Sequence, residues 1–171
     1  QINLFKSSII SLVPSILNKL INQNQYHKSL QSYKVIILGG EPANEALIQK
    51  CIKLKLNIFI SYGMTETCSG VSGFWLNNHI DKSSSVGQPF SDVNLTVNNQ
   101  SNITISSHMN MLGYYQEGKH EGSFVSSDIG KIKDGFLYIN GRNNNVISLK
   151  GEKINLDYIK NILHEHHSID S

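Results

Sequence analysis

Apolar positions along this chain change their spacing from one segment to the next, and the changes predict a succession of elements. Ile16, Leu17, Leu20 and Ile21 recur at helical intervals behind Pro14, a residue suited to a first turn, so a helix packed against a core is expected there. The polar stretch "NQNQYHKS" then leads to "YKVIILGG", a short β-branched run of the kind buried on both faces in a parallel sheet. Next comes "EPANEALIQKCIKLK", read as a helix with Pro42 at its start and Ala46, Leu47, Cys51 and Leu54 as its apolar stripe. The run "LNIFISYG" is a second short strand, and strand, helix and strand in roughly 30 residues make a βαβ unit.

Ligands of open α/β sheets sit beyond the carboxyl ends of the strands, and both "GGEP" and "YGMTET" occupy such ends. If the strands are neighbours, Gly39 and Gly40 flank one crevice with Tyr62 and Gly63. Glycine lets backbone lie flat against a planar ligand, and Tyr62 offers a ring face. Thr65 can donate a hydroxyl hydrogen bond, while Glu66 supplies a hard oxygen ligand for Mg²⁺. Together these residues point to a nucleotide phosphate with its metal.

Beyond residue 80 the texture shifts to short strands, "VNLTV", "NITIS" and "GFLYIN", separated by Gly, Asn and Ser turns, which predicts a small β subdomain. Within "SFVSSDIGKIKDGFLYINGR", Asp128 is expected at a strand end and Arg142 just past the next strand. A carboxylate accepts the two hydroxyls of a ribose diol, and a guanidinium donates in a fork to ribose or phosphate. The polar link at residues 143–145 leads into "VISLKGEKI" and a helix from about Leu156 to His164, read as a hinge and the start of another domain.

Composition narrows these readings. A chain of 171 residues with 39% hydrophobic content and 16% charge suits a packed core rather than disorder. A net charge of +2 with scattered lysines gives no nucleic-acid footprint. No apolar run approaches a membrane span, and Cys51 and Cys68 are too few for a disulfide framework, so reduced thiols and a cytoplasmic location are expected. The first residues, "QINLFK", contain no Met and open inside a structured-looking segment, as in a piece of a longer chain.

The set "LGGEP", "SYGMTET", "SVGQPF", "MLGYY", "SSDIGK…DGFLYINGR" and "VISLKGEKI", in this order and spacing, resembles the adenylate-forming acyl- and aryl-CoA synthetase superfamily over nearly the whole chain. Within that superfamily, "SLVPSIL", "VIILGGEPANEALI" and "GMTETCS" are most similar to the bacterial o-succinylbenzoate–CoA ligase branch, which serves menaquinone biosynthesis. The resemblance implies an α/β fold in three parts. Residues 1–80 would end the large AMP-binding domain with its parallel βαβ sheet segment. Residues 81–142 would form its β-rich subdomain, and residues 143–171 the hinge and the beginning of a C-terminal α+β domain. It further implies that Gly39, Gly40 and Glu41 line an adenine pocket, with Tyr62 stacking on the base and Gly63 and Met64 shaping its floor. Thr65 would hold the α-phosphate region, Glu66 would coordinate Mg²⁺, Asp128 would bind ribose hydroxyls, and Arg142 would close on the nucleotide. Gly151 would lie beside the CoA pantetheine path, Asn144 at the hinge, and an acyl pocket around Ser69 to Phe74. ATP, Mg²⁺, CoA and a small carboxylic acid are the implied partners. No nucleic acid or membrane span is implied, and a homodimer is left open. The implied chemistry forms an acyl-adenylate with release of pyrophosphate, then a thioester with CoA, with no covalent enzyme intermediate.

Departures from the superfamily pattern accompany the matches. Nothing here corresponds to its Ser/Thr/Gly-rich phosphate loop or to the lysine of its C-terminal domain, Asn144 stands where the hinge usually carries Asp or Lys, and Lys150 replaces a common glycine. The resemblance therefore implies a fragment without full catalysis on its own. Other adenylating ligases, or a non-catalytic nucleotide-binding remnant, stay open as alternatives. Residue by residue, Glu66 has the plain reading of an exposed acid, Asp128 that of a cap for the turn at Gly130, and Tyr62 that of core packing. Cys68 is expected as a small buried filler and "SGVSG" at residues 69–73 as a flexible wall. The run "HEHH" at residues 164–167 lacks metal-site spacing and reads as a solvated helix end.

Overall fold

Short β-branched runs that carry little polar side-chain chemistry become the parallel core of the first region. Ile9–Leu12 (β1), Val35–Leu38 (β2) and Ile58–Met64 (β3) lie side by side in register, with Ile10 opposite Ile36 and Leu38 opposite Ile60. A computed structural model describes residues 7–116, 118–143, 146–149 and 152–165 of the chain. It divides into two compact units, Gln1–Ser91 and Asp92–Ser171.

In the first unit the sheet runs β1-β2-β3-β4-β5, the last two strands being Ser69–Trp75 (β4) and Gln88–Pro89 (β5), both antiparallel to their neighbours. Helices Pro14–Ile21 (α1), His27–Ser32 (α2) and Glu45–Lys53 (α3) connect the parallel strands. The expected βαβ unit is present as β2, α3 and β3. Leu17 and Ile21 of α1, Leu30 of α2, and Leu47, Ile48 and Cys51 of α3 are buried together with Ile36, Leu38, Ile58 and Ile60. At roughly 1.5–3 kcal/mol for each large side chain fully buried, this set is the main stabilising term of the unit. Burial also pushes the Cys51 thiol up to about 12 from its ordinary 9.0, because the thiolate has lost its water.

Several expectations are corrected here. The helix α3 begins at Glu45 and not at Pro42: Asn44 caps it, its Oδ1 accepting the Leu47 N–H at 2.9 Å, and a satisfied N-cap sets the start more firmly than a proline two residues upstream. Ala46 points outward and Ile48 takes its place in the buried stripe. The polar stretch "NQNQYHKS", to which the sequence assigned no element, contains a 3₁₀ turn at Asn24–Tyr26 and enters α2, whose Leu30 is buried. The "SGVSG" segment is no flexible wall, since it forms most of β4 and buries Val71 and Ser72.

The second unit holds a four-stranded antiparallel sheet, Asn94–Val97 (β6), Asn102–Ser106 (β7), Phe124–Lys133 (β8) and Phe136–Arg142 (β9), in that order. Alternate residues Leu95, Ile103, Ile105 and Leu137 face its core, as a half-buried sheet requires. A hairpin, Val146–Leu149 (β10) with Glu152–Asn155 (β11), precedes the helix Leu156–Glu165 (α4).

Candidate nucleotide site

In the first unit the motif residues gather at the carboxyl ends of β2 and β3. Gly39, Gly40 and Glu41 follow β2 directly, whereas Tyr62, Gly63 and Met64 remain inside β3, so the chain does not leave the strand through glycine as the sequence predicts. The reason lies in β4. A Cβ on Gly63 would stand 1.9 Å from the Ser69 carbonyl oxygen, so the glycine is required by the returning strand. Ser69 pairs with Met64 and Gly70 with Gly63, while Ser72 pairs with Tyr62, which leaves Val71 as one extra residue on β4. The Phe90 N–H satisfies the Val71 carbonyl at 3.0 Å, and such bulges commonly re-aim strands beside functional sites.

Between β3 and β4 runs a 3₁₀ turn, Thr65–Thr67, which presents Thr65 to solvent and leaves Glu66 half-buried. Thr67, which sequence reasoning missed, is fully buried and closes this turn. Its Oγ1 accepts the Met64 N–H at 3.2 Å, and lies 3.0 Å from the Met64 carbonyl and 2.8 Å from that of Ser69. Its single proton serves one carbonyl at a time. The only sequence hint is the repeated threonine in "TET". Cys68 then takes a left-handed conformation (φ 54°) with its side chain exposed, which corrects the expectation of a buried filler: the residue turns the chain into β4.

Glu41, next in the chain after Gly40, turns its carboxylate toward the first turn of α1. Its two carboxylate oxygens accept from the N–H and the hydroxyl of Ser15, at 3.1 and 3.2 Å, at the start of α1. On the other flank Gly39 lies against β3, where an added Cβ would come 2.6 Å from the Ser61 carbonyl oxygen. Gly39 therefore adjoins the strand that carries Tyr62 and Gly63, and Gly40 follows it against Val13.

In the second unit, Asp128 and Arg142 face each other across β8 and β9, and Arg142 Nε donates to Asp128 Oδ1 at 2.8 Å. Asp128 lies mid-strand and not at a strand end, and Arg142 closes β9 instead of following it. The shift has a structural cause: between Val125 and Ile129, β8 carries three residues against Ile103 alone on β7, and this bulge displaces the pattern of alternation. Buried Asn102, also missed from sequence, fixes the bulge by donating from Nδ2 to the Ser126 carbonyl at 2.9 Å, while Asn143 Nδ2 donates to its Oδ1 at 2.8 Å. Asp128 is only 8% exposed, and Arg142 holds its carboxylate in one orientation. The reading of Asp128 as a turn cap at Gly130 gives way to this cross-strand pair, since Gly130 is itself in β8. Asn144 and Gly151, with Lys150, His166 and His167, lie outside the described residues.

A family model described as AMP-binding enzyme matches residues 1–115 of the chain. The chain belongs to the AMP-binding enzyme family. Among curated members, it is 34% identical to the 2-succinylbenzoate–CoA ligase of Lactococcus lactis subsp. lactis (strain IL1403), over 90% of this chain and 35% of that protein. It is 27% identical to the ligase of the same name from Bacillus subtilis (strain 168), over 99% of this chain and 38% of the relative. Among solved AMP-binding structures, the o-succinylbenzoate CoA synthetase MenE of Bacillus subtilis in complex with ATP and magnesium superimposes with a TM-score of 0.84 at 25% identity, over 97% of this chain and 38% of that one. The same synthetase with the acyl-adenylate OSB-AMP gives 0.84 at 26% identity, over 96% and 37%. The chain thus spans 35–38% of the length of these curated relatives.

Proposed function

We propose that this chain carries nucleotide-binding elements of an AMP-forming acid–CoA ligase, with o-succinylbenzoate as the acid and menaquinone biosynthesis as its setting. The observation that carries the reading is the placement of the Gly39–Glu41 turn and the Tyr62–Glu66 stretch at the carboxyl ends of adjacent parallel strands. Similarity to 2-succinylbenzoate–CoA ligases over 90% of the chain supports the choice of acid. Residues 1–80 act as the end of the large domain, 81–142 as its β-rich part, and 143–171 as hinge and start of a small domain.

On this reading the backbone of Gly39 and Gly40 meets the adenine edge, the half-buried Tyr62 presents its ring to the base, and Gly63 and Met64 form the floor. Thr65, whose side chain is exposed, donates toward the α-phosphate. Asp128 accepts from the ribose hydroxyls in the orientation that Arg142 fixes, and Arg142 closes on the nucleotide. Asn144 serves as hinge and Gly151 borders the pantetheine of CoA.

The donor set fits magnesium. Among the described residues no group of three or more His, Cys, Asp or Glu side chains forms an all-protein cage, and Mg²⁺ is commonly held by one or two carboxylates together with substrate phosphates. Glu66 is the carboxylate that would hold it, and the bound ion would offset negative charge on the phosphates. The reaction joins the acid's carboxylate to the α-phosphorus of ATP with loss of pyrophosphate, and the CoA thiol then displaces AMP from the mixed anhydride. No helix among the described residues is long and apolar enough to cross a membrane. Two free cysteines, one buried and one exposed, agree with a reducing cytoplasmic setting.

Pyrophosphate exchange into ATP, measured on the product of the intact coding region with a panel of carboxylic acids, tests the reading. Exchange should require o-succinylbenzoate and Mg²⁺, and Glu66→Gln should lower it by at least about tenfold. Exchange driven by aryl, fatty or amino acids but not by o-succinylbenzoate would sink the substrate, and absence of ATP-dependent heat in calorimetry would sink the nucleotide site.

A further inference from the structure

We infer that Glu41 is a positioning residue, which ties the turn after β2 to the amino end of α1 and thereby sets the backbone of Gly39 and Gly40. The inference rests on the nucleotide reading above for its functional consequence, but its structural part stands on geometry alone. It also differs from the expectation that Glu41 lines an adenine pocket, because here its carboxylate is spent on protein.

Helix α1 starts without a side-chain cap of its own. Its N-cap is Val13, Pro14 follows, and its first turn holds no acid. Ser15 is therefore left with an N–H that no intrahelical carbonyl can take. Glu41 supplies the missing acceptor from 26 residues away, with one oxygen on the Ser15 N–H at 3.1 Å and the other on the Ser15 hydroxyl at 3.2 Å. Its negative charge also lies at the favourable end of the helix dipole. A bidentate contact of this kind fixes direction as well as distance.

The tether closes a small frame around the two glycines. Gly39 N–H donates to the Leu12 carbonyl at 3.4 Å, a long bond at the last residue of β1. Gly40 has φ +83°, and a Cβ there would meet Val13 Cγ1 at 3.3 Å. On the far side Gly39 abuts the Ser61 carbonyl of β3. Leu12 and Val13 stand immediately before α1, so whatever holds Glu41 to Ser15 holds the whole turn against the β1–α1 junction. A left-handed glycine next to one long hydrogen bond has little of its own to keep it in place, and the Glu41 contact provides the restraint. The adenine edge would meet this stretch of backbone, so a loose Glu41 should blur that surface without removing any group that touches the base.

Two readouts on the 171-residue chain separate this role from others: amide exchange at Ser15, Gly39 and Gly40, and AMP affinity by titration calorimetry. Glu41→Ala and Ser15→Ala should each speed exchange at these three amides and weaken AMP binding by about fivefold, and the double variant should be no worse than Glu41→Ala. Glu41→Gln should stay within about twofold of the parent, since its amide can accept from the Ser15 N–H and donate to the hydroxyl. If Glu41→Ala weakens AMP binding while Ser15→Ala leaves it unchanged, Glu41 acts on the nucleotide directly and the inference falls. It falls equally if Glu41→Gln behaves like Glu41→Ala, or if both alanine variants lower Tm with exchange at Gly39 and Gly40 unaltered. A parent chain that binds no AMP defeats the nucleotide reading instead, and the exchange comparison then decides the tether by itself.

Discussion

The two units position their charged motif residues by opposite means. In the first, Thr65 and Glu66 stand on a turn that begins where β3 ends, so their placement depends on how the chain gets from one strand to the next. In the second, Asp128 and Arg142 sit within paired strands, and a register set by backbone hydrogen bonds brings them together. The first arrangement relies on close backbone packing at Gly63 and a buried hydroxyl at Thr67, the second on a bulge pinned by Asn102. A turn can be refashioned by a single steric clash, whereas a strand pair yields by degrees as its supports are removed.

The sharpest way to break this contrast is Gly63→Ala. The new methyl would have to occupy space 1.9 Å from the Ser69 carbonyl oxygen, and backbone cannot yield as a side chain does, so a loss of about 3 kcal/mol or more is expected in denaturant unfolding, with AMP binding abolished. In the second unit, Asn102→Ala should cost about 2 kcal/mol, since it leaves the buried Ser126 carbonyl without its donor and releases Asn143. Exchange at Ser126 to Asp128 should rise while the β3–β4 hairpin keeps its protection. Smaller again is Arg142→Ala, with about 1 kcal/mol in stability, because the guanidinium is half exposed and water screens the pair. Its larger effect should be on AMP affinity, and a stability loss without any affinity loss would make the pair purely structural.

The smallest effect concerns pH. The folded chain keeps Cys51 neutral up to about 12, whereas the unfolded thiol ionises near its ordinary 9.0. Its burial therefore stabilises fully below about pH 9 and loses that contribution as pH climbs toward 12, so stability should decline through this window. Cys51→Ala should flatten the decline. At neutral pH, iodoacetamide should label exposed Cys68 in the native chain and reach Cys51 only on unfolding.

How far the sequence was legible depended on whether the deciding contact was local. The strands β2 and β3 and the helix between them were readable because β-branched runs bounded by Gly and Asn carry their own signal. Strand β1 was not, since four residues running into Pro14 look like the approach to a helix, and only pairing with β2, across more than twenty residues, makes them a strand. Asn44 and Pro42 are both start signals in their own right, and the hydrogen bond to Leu47 decided between them. The residue types of Asp128 and Arg142 suggested separate contacts to a ribose and a nucleotide, but neither their pairing nor their place within strands was legible, because both follow from the register and the bulge opposite Ile103, which no side-chain pattern marks. Likewise nothing in "TETC" distinguishes the threonine that faces solvent from the one that closes the turn, or says that the cysteine turns the chain left-handed.

Thr67 gives the turn after β3 a fixed length. Its hydroxyl spans from Met64 to Ser69, and Gly63 lies too close to Ser69 for any side chain, so residues 63 to 69 form a closed ring with neither slack nor spare room. One residue more or fewer would misalign both closures at once. Descendants of this chain can thus exchange side chains around the ring, but they can change its size only by rebuilding it entirely, so changes in what this turn touches should arise from substitutions and seldom from insertions there.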